Sequence, residues 1–231
     1  MNSLLDALPL AEASRTRRFD LPVPESLYGR AISKPGTPFP SRNGKIIQGV
    51  MLSAQPIESW WKAINDDDHH DEKGYLPLLH SEVIKGTAGG SGRETFQYYR
   101  SFGIGRWWVN RLEANEALYR DSDGALWELH WRDALDDYPG AAPPVEIGSR
   151  VTPIEEDWGA WLLVALEDDC TLVEYVASGD PGGLVGALHW LALTRTLRTT
   201  FRGMVSLARE HLAKPHPDTV FYRPDGSPIE P

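Results

Sequence analysis

In residues 171–212, TLVEYVASGD PGGLVGALHW LALTRTLRTT FRGMVSLARE HL, an apolar strand runs through Asp180-Pro181-Gly182-Gly183 into one long amphipathic helix. Leu197, Phe201, Met204, Val205, Ala208 and Leu212 recur at the three-to-four spacing that a single buried helix face requires. Arg195, Arg198, Thr199, Arg202, Ser206 and Arg209 fall on the opposite side. The segment before it, 151–167, reads as a strand that pairs with 171–178 across Asp168-Asp169. A helix of this length, placed last in a mostly β chain, predicts a curved sheet closed over a helix. Such an arrangement can leave room for an apolar guest.

Working upstream, 106–119 and 125–132 read as a hairpin turned at Asp121-Ser122-Asp123-Gly124. A second pair, 78–86 and 93–102, is joined by the glycine-rich stretch 87–92. Residues 45–54 make a first strand, and Pro56 opens a short helix through about residue 65, since proline is tolerated at a first helical position. Residues 133–149, with Asp136, Asp137, Pro139, Gly140, Pro143 and Pro144, read as a loop. Consecutive hairpins imply antiparallel pairing, because parallel neighbours need long crossovers. With helices near the start and at the end, the class is α+β.

Residues 3–18 can form a short helix, and the five prolines Pro22, Pro24, Pro35, Pro38 and Pro40 predict an extended arm over 19–43. The expected organisation is an N-terminal helix and arm (1–44), a single domain (45–213) and a proline-rich tail (214–231).

At 231 residues the chain can form one sizeable domain, and its 41% hydrophobic and 24% charged content is ordinary for a globular protein. A net charge of -10 with a pI near 5.2 argues against a nucleic-acid binder. The arginine stripe could still make transient contact with an anionic lipid surface. Cys170 is the only cysteine, which excludes an internal disulfide and a cysteine metal cage. A cytoplasmic setting fits, as would a disulfide-free exported protein. No apolar run approaches the roughly 18–20 residues that span a bilayer, and residues 1–10 make a poor secretory signal. Nine tryptophans are the compositional oddity. They predict a large aromatic core or an aromatic-lined cavity, and the two overlap.

The order of elements resembles the START-like superfamily, also called SRPBCC or helix-grip proteins. The matching stretches are Pro56-Ile57-Glu58-Ser59-Trp60-Trp61 after the first strand and Trp127-Glu128-Leu129-His130-Trp131 in mid-sheet. The third is Thr171-Leu172-Val173-Glu174-Tyr175 leading to Gly179-Asp180-Pro181-Gly182-Gly183. The resemblance covers about residues 45–212, and only its last passage is specific. The acidic histidine loop and the proline-rich arm depart from it. It implies a curved antiparallel sheet around a long C-terminal helix, with an apolar cavity for a lipid, sterol or polyketide-like molecule.

Strand alternation puts Trp127, Leu129 and Trp131 on one face, with Glu128, His130 and Arg132 on the other. Likewise Arg106, Trp108 and Asn110 oppose Trp107, Val109 and Arg111. The residues expected to meet a ligand are Arg106, Trp108, Trp127, Trp131, Trp161, Tyr175, Leu188, Leu191, Thr194, Leu197 and Phe201. No catalytic residue, metal ligand or cofactor is assigned. The loop Asp66-Asp67-Asp68-His69-His70-Asp71-Glu72 has metal-ligating residue types, but lacks a spaced second partner and reads as a solvated acidic loop. His130 and His189 are candidate acid/base groups because histidine titrates near neutrality, although a surface or satisfied histidine is the commoner outcome. Gly182 and Gly183 read as turn residues. A hydrophobic small-molecule binder or carrier is the leading reading. The alternatives are a cyclase/aromatase-type enzyme and a protein-interaction module using the arginine stripe. Oligomeric state is open.

Overall fold

The computed structural model describes residues 24–101, 104–120, 124–138, 143, 151–154, 156–166, 169–179, 183–214, 216 and 219–230, the long-helix stretch 183–195 as backbone only. Among the described residues three α-helices and nine strands follow in chain order: α1 (Glu25–Ser33), β1 (Phe39–Asn43), β2 (Ile46–Ser53), α2 (Ile57–Asn65), β3 (His80–Lys85), β4 (Arg93–Ser101), β5 (Ile104–Arg120), β6 (Gly124–Asp133), β7 (Val151–Pro153), β8 (Asp157–Ala165), β9 (Thr171–Gly179) and α3 (Gly183–Ala213). The strands form one open sheet in the order β1-β2-β9-β8-β6-β5-β4-β3. Every neighbour on this path is antiparallel.

The short β7 is the exception. It runs parallel to β5 over Gly105–Trp107, continuing the line that β6 leaves at Asp133. The sequence reading of one strand over 151–167 is therefore corrected to two. Pro153 ends the first, Ile154 donates its N–H to Trp107 O at 2.8 Å, and the chain then changes partners to β6 and β9. The extended arm is corrected as well. Between Pro24 and Pro35 lies a proline-free stretch that forms α1, whose Leu27, Tyr28 and Ala31 recur on one side and are buried. Proline at a helix boundary is no obstacle to the helix that follows. The reading of 3–18 as a helix lies outside the described residues, as do Gly182 and the turn before α3.

Both faces of the sheet are covered. On the convex face α1 packs against Phe39, Val50, Leu126, Leu162, Val164 and Leu172, and Tyr28 donates its hydroxyl to the buried Glu174. Nearby, Phe96, Tyr98, Trp107 and Val109 are roofed by Ala134, Leu135 and Tyr138. On the concave face α2 and α3 pack over Met51, Trp127, Leu129, Trp161, Leu163 and Val173. Burial on two sides is why the central strands β8 and β9 read as nearly unbroken apolar runs rather than alternating ones.

Helix α3 presents Leu197, Phe201, Met204, Leu207, Ala208 and His211 to the interior, whereas Leu212 is 61% exposed. The buried stripe thus drifts to Leu207 and His211 at the helix end, because the chain that packs there (the loop after α2 and Phe221) lies on that side. Gly203 is where the helix comes closest to that loop: a Cβ there would lie 1.5 Å from the Tyr75 carbonyl oxygen. After α3 the chain turns back. Tyr222 bridges Pro228, Phe221 and Ile229 enter the core, and Trp61 Nε1 donates to Tyr222 O at 2.7 Å.

Candidate functional site

Between α3 and the concave face lies a cavity of about 410 Å³. Its walls come from alternate positions on successive strands, as the pleat requires: Ile47 and Ala177, Trp161 and Tyr175, Leu129 and Trp131, Trp108, Asn110 and Leu112. Helix α3 contributes Thr196, Thr200 and Met204, and the loop after α2 contributes His70, Leu76, Pro77 and Leu78. In the aromatic wall Trp161 and Tyr175 meet edge-to-face with centroids 4.5 Å apart, and Trp131 lies tilted against Tyr175 at 5.7 Å. This packing fixes ring orientation as well as filling space.

One end of the cavity is polar. Asn110 Nδ2 donates to Asp157 Oδ2 at 2.6 Å, and Tyr99, Ser178 and Gln97 share the wall. Desolvation raises the Asp157 carboxyl from its ordinary 3.8 to about 6, against hydrogen bonds from Asn110 and Trp131 that favour the charged form. Tyr99 is raised to about 12, first by burial and then by the Asp157 charge, with Arg106 opposing. Burial likewise pushes the Tyr175 hydroxyl upward. At neutral pH this end offers one carboxylate poised close to its titration range and two phenol donors.

Of the residues expected to meet a ligand, Trp108, Trp131, Trp161 and Tyr175 line the cavity. Trp127, Leu197 and Phe201 lie beneath it in the packed core, Trp127 edge-on to Trp61 at 5.4 Å and Phe201 edge-on to Trp161 at 5.4 Å. Arg106 is not part of the wall, and its Nε is buried without a hydrogen-bond partner among the described residues. The side chains of Leu188, Leu191, Thr194 and His189 lie outside the described residues. His130 and Glu128 point to the convex face, where His130 Nε2 lies 3.2 Å from Glu113. Asp157 was not singled out in the sequence, although it shares the parity of Trp161 along one strand. Of the arginine stripe, Arg198, Arg202 and Arg209 are exposed.

The loop 66–72 is not a solvated acidic run. Asp66, Asp67 and His70 are buried, and Asp66, Asp67, Asp68 and Asp71 each have a partner from elsewhere in the chain. Arg93 Nε donates to Asp67 at 2.6 Å, and His211 Nε2 and His216 Nδ1 donate to Asp66 at 3.0 and 2.6 Å. Asp68 accepts the Val83 N–H at 2.8 Å and Asp71 the Ser81 N–H at 3.2 Å. These contacts hold the stretch that forms one wall of the cavity.

In architecture the chain is similar to many solved structures, among them the following three. One is a STAR-related lipid transfer protein fragment from Xanthomonas axonopodis, at 17% identity and TM-score 0.55, covering 77% of this chain and 93% of that one. Human StAR-related lipid transfer protein 5 matches at 10% identity and TM-score 0.56, covering 90% and 98%. The Zhui aromatase/cyclase from Streptomyces sp. R1128 matches at 12% identity and TM-score 0.51, covering 72% and 94%. No family model and no curated protein matches the sequence. At these identities the likeness carries the fold alone.

Proposed function

The chain has the START-like, helix-grip fold, and from that premise we propose that it binds a hydrophobic small molecule of lipid or polyketide kind in the cavity beneath α3. The observation that carries this reading is the cavity itself: about 410 Å³, walled by Ile47, Leu112, Leu129, Trp131, Trp161 and Met204, with polar groups gathered at one end. Ligand pockets of this kind occupy roughly 300–1,000 Å³ and combine apolar walls with a few orienting polar groups. The ligand's tail lies along the tryptophans, and its hydroxyl or carbonyl faces Asp157, Asn110 and Tyr99. Lipid transfer proteins among the similar structures support the ligand class.

Each buried methylene contributes about 0.8 kcal/mol, so a ten-carbon tail contributes about 8 kcal/mol before the freedom lost on binding is subtracted. The test is native mass spectrometry of the purified protein, followed by displacement of a fluorescent fatty acid. Thr200→Trp, which fills the cavity from the helix side, should weaken binding at least tenfold while leaving the circular dichroism melt intact. Unchanged affinity in that variant, or no binding across fatty acids, sterols and aromatic polyketides, refutes the proposal.

A catalytic reading draws on one observation, the Asp157 carboxyl held at about 6 inside the cavity, where a general acid or base is effective near neutral pH. The similarity to an aromatase/cyclase gives it a reaction class to test. On that reading Asp157→Asn abolishes cyclisation of a poly-ketone analogue and leaves its binding intact. Equal product formation with and without wild-type protein refutes it.

A further inference from the structure

At the far end of α3, three imidazoles from separate parts of the chain converge on one buried carboxylate. His69 Nδ1 lies 2.7 Å from Asp66 Oδ1, while His211 Nε2 and His216 Nδ1 lie 3.0 and 2.6 Å from Asp66 Oδ2. The His216 ring sits between the other two, with centroids 4.3 Å from His69 and 4.7 Å from His211. The ligating atoms of Asp66, His69 and His216 all fall within 4.8 Å of one another.

We infer that Asp66, His69 and His216 form a divalent-metal site that fastens the segment after α3 to the loop after α2. Two imidazole nitrogens and a carboxylate oxygen are a donor set suited to zinc, with a water in the fourth tetrahedral position and His211 hydrogen-bonded to Asp66 beside it. With bonds of 2.0–2.1 Å, tetrahedral ligands stand about 3.3 Å apart, and the three ligating atoms, all within 4.8 Å of one another, are already close to that spacing. The outer shell is also present. His216 Nε2 lies 3.3 Å from Glu210 Oε1, which leaves Nδ1 as the ligating atom and sets a carboxylate behind the imidazole. Glu210 is itself anchored by Lys73 and Tyr75. The buried Asp66 supplies one negative charge directly at the site, whereas that of Glu210 is met by Lys73. The side chains of His69 and His216 are 23% and 14% exposed, which gives an ion a way in.

The competing arrangement is a metal-free clasp in which all three imidazoles donate to Asp66, and titration with the metal alone separates the two. The full chain, stripped with chelator, is titrated with Co²⁺ and then with Zn²⁺. The site predicts one equivalent of Co²⁺ with the intense visible absorption of a tetrahedral centre, displaced by Zn²⁺, and a Tm that rises with Zn²⁺ and falls again with chelator. His216→Gln and His69→Ala should each weaken Co²⁺ affinity at least tenfold, whereas His80→Ala, outside the cluster, should not change it. If either variant fails to fold, the wild-type stoichiometry and spectrum still decide. No stoichiometric binding by the wild-type chain, an octahedral Co²⁺ spectrum, or undiminished affinity in His216→Gln and His69→Ala overturns the inference.

Discussion

Replacing Asp157 by Asn should make the protein more stable at pH 8 and leave it unchanged at pH 4. The wild-type carboxyl titrates at about 6 in the folded chain because desolvation in the cavity disfavours its charge, against an ordinary value of 3.8. The native state therefore holds the proton more tightly than the unfolded chain. Stability from this group is fully present below about pH 4 and is lost as pH rises through 6. A gap of about two pKa units at about 1.4 kcal/mol each sets a ceiling of about 3 kcal/mol. Asp157 is only partly buried against the cavity, so water there screens the charge and roughly 1–3 kcal/mol is expected. Asparagine keeps an acceptor for Asn110, so the 2.6 Å hydrogen bond survives. Urea unfolding from pH 4 to 8 would show a falling wild-type free energy over this window and a flatter one for the variant. Parallel pH profiles, or a variant less stable at pH 8, would refute the reasoning.

Three further outcomes test the packing. Phe201→Ala removes a ring with 0% exposure wedged between Gly49, Trp161 and Tyr175; a loss of roughly 3–5 kcal/mol is expected in denaturant unfolding, and less than about 1 kcal/mol would mean that the ring lines open space. Gly203→Ala would gain about 1 kcal/mol of helix propensity, but its Cβ meets the Tyr75 backbone; net destabilisation of about 1–3 kcal/mol is expected, and a raised Tm would contradict that close approach. Arg93→Ala strands the buried Asp67 and should lower stability by about 3–5 kcal/mol in chemical denaturation. Arg93→Met combined with Asp67→Leu should recover most of that loss, and no recovery would show that the charges themselves are required.

The sheet and its closing helix were legible because their signals are local. Alternation along β5 and β6, glycine-rich turns and the spacing of Leu197, Phe201, Met204 and Ala208 each lie within a few turns or pairs of the chain. Helix α1 was obscured because its proline-rich surroundings dominate the composition, although the ten residues between Pro24 and Pro35 contain no proline. The acidic loop was misread for the opposite reason. The partners that bury it, Arg93, His211 and His216, stand 26, 145 and 150 residues from the acids they meet. Periodicity carries no information at such separations. The polar end of the cavity was half visible: Asn110 fell on the same face as Trp108, but the shift of Asp157 depends on enclosure that only the assembled fold supplies.

The carboxylates of Asp68 and Asp71 have a consequence beyond holding their own loop. They take the outward N–H groups of Val83 and Ser81 on β3, the last strand of an open sheet. An unoccupied border of this type invites a strand from another molecule, the first step towards fibrous self-association. Two side chains here stand in for the missing neighbour, and the register shift at Val83/Lys85 bends that border further from the straight line a docking strand would need. At the opposite border, Pro40 in β1 has no N–H to offer. Growth by strand addition is therefore obstructed at both margins, by carboxylates at one and by an imino ring at the other.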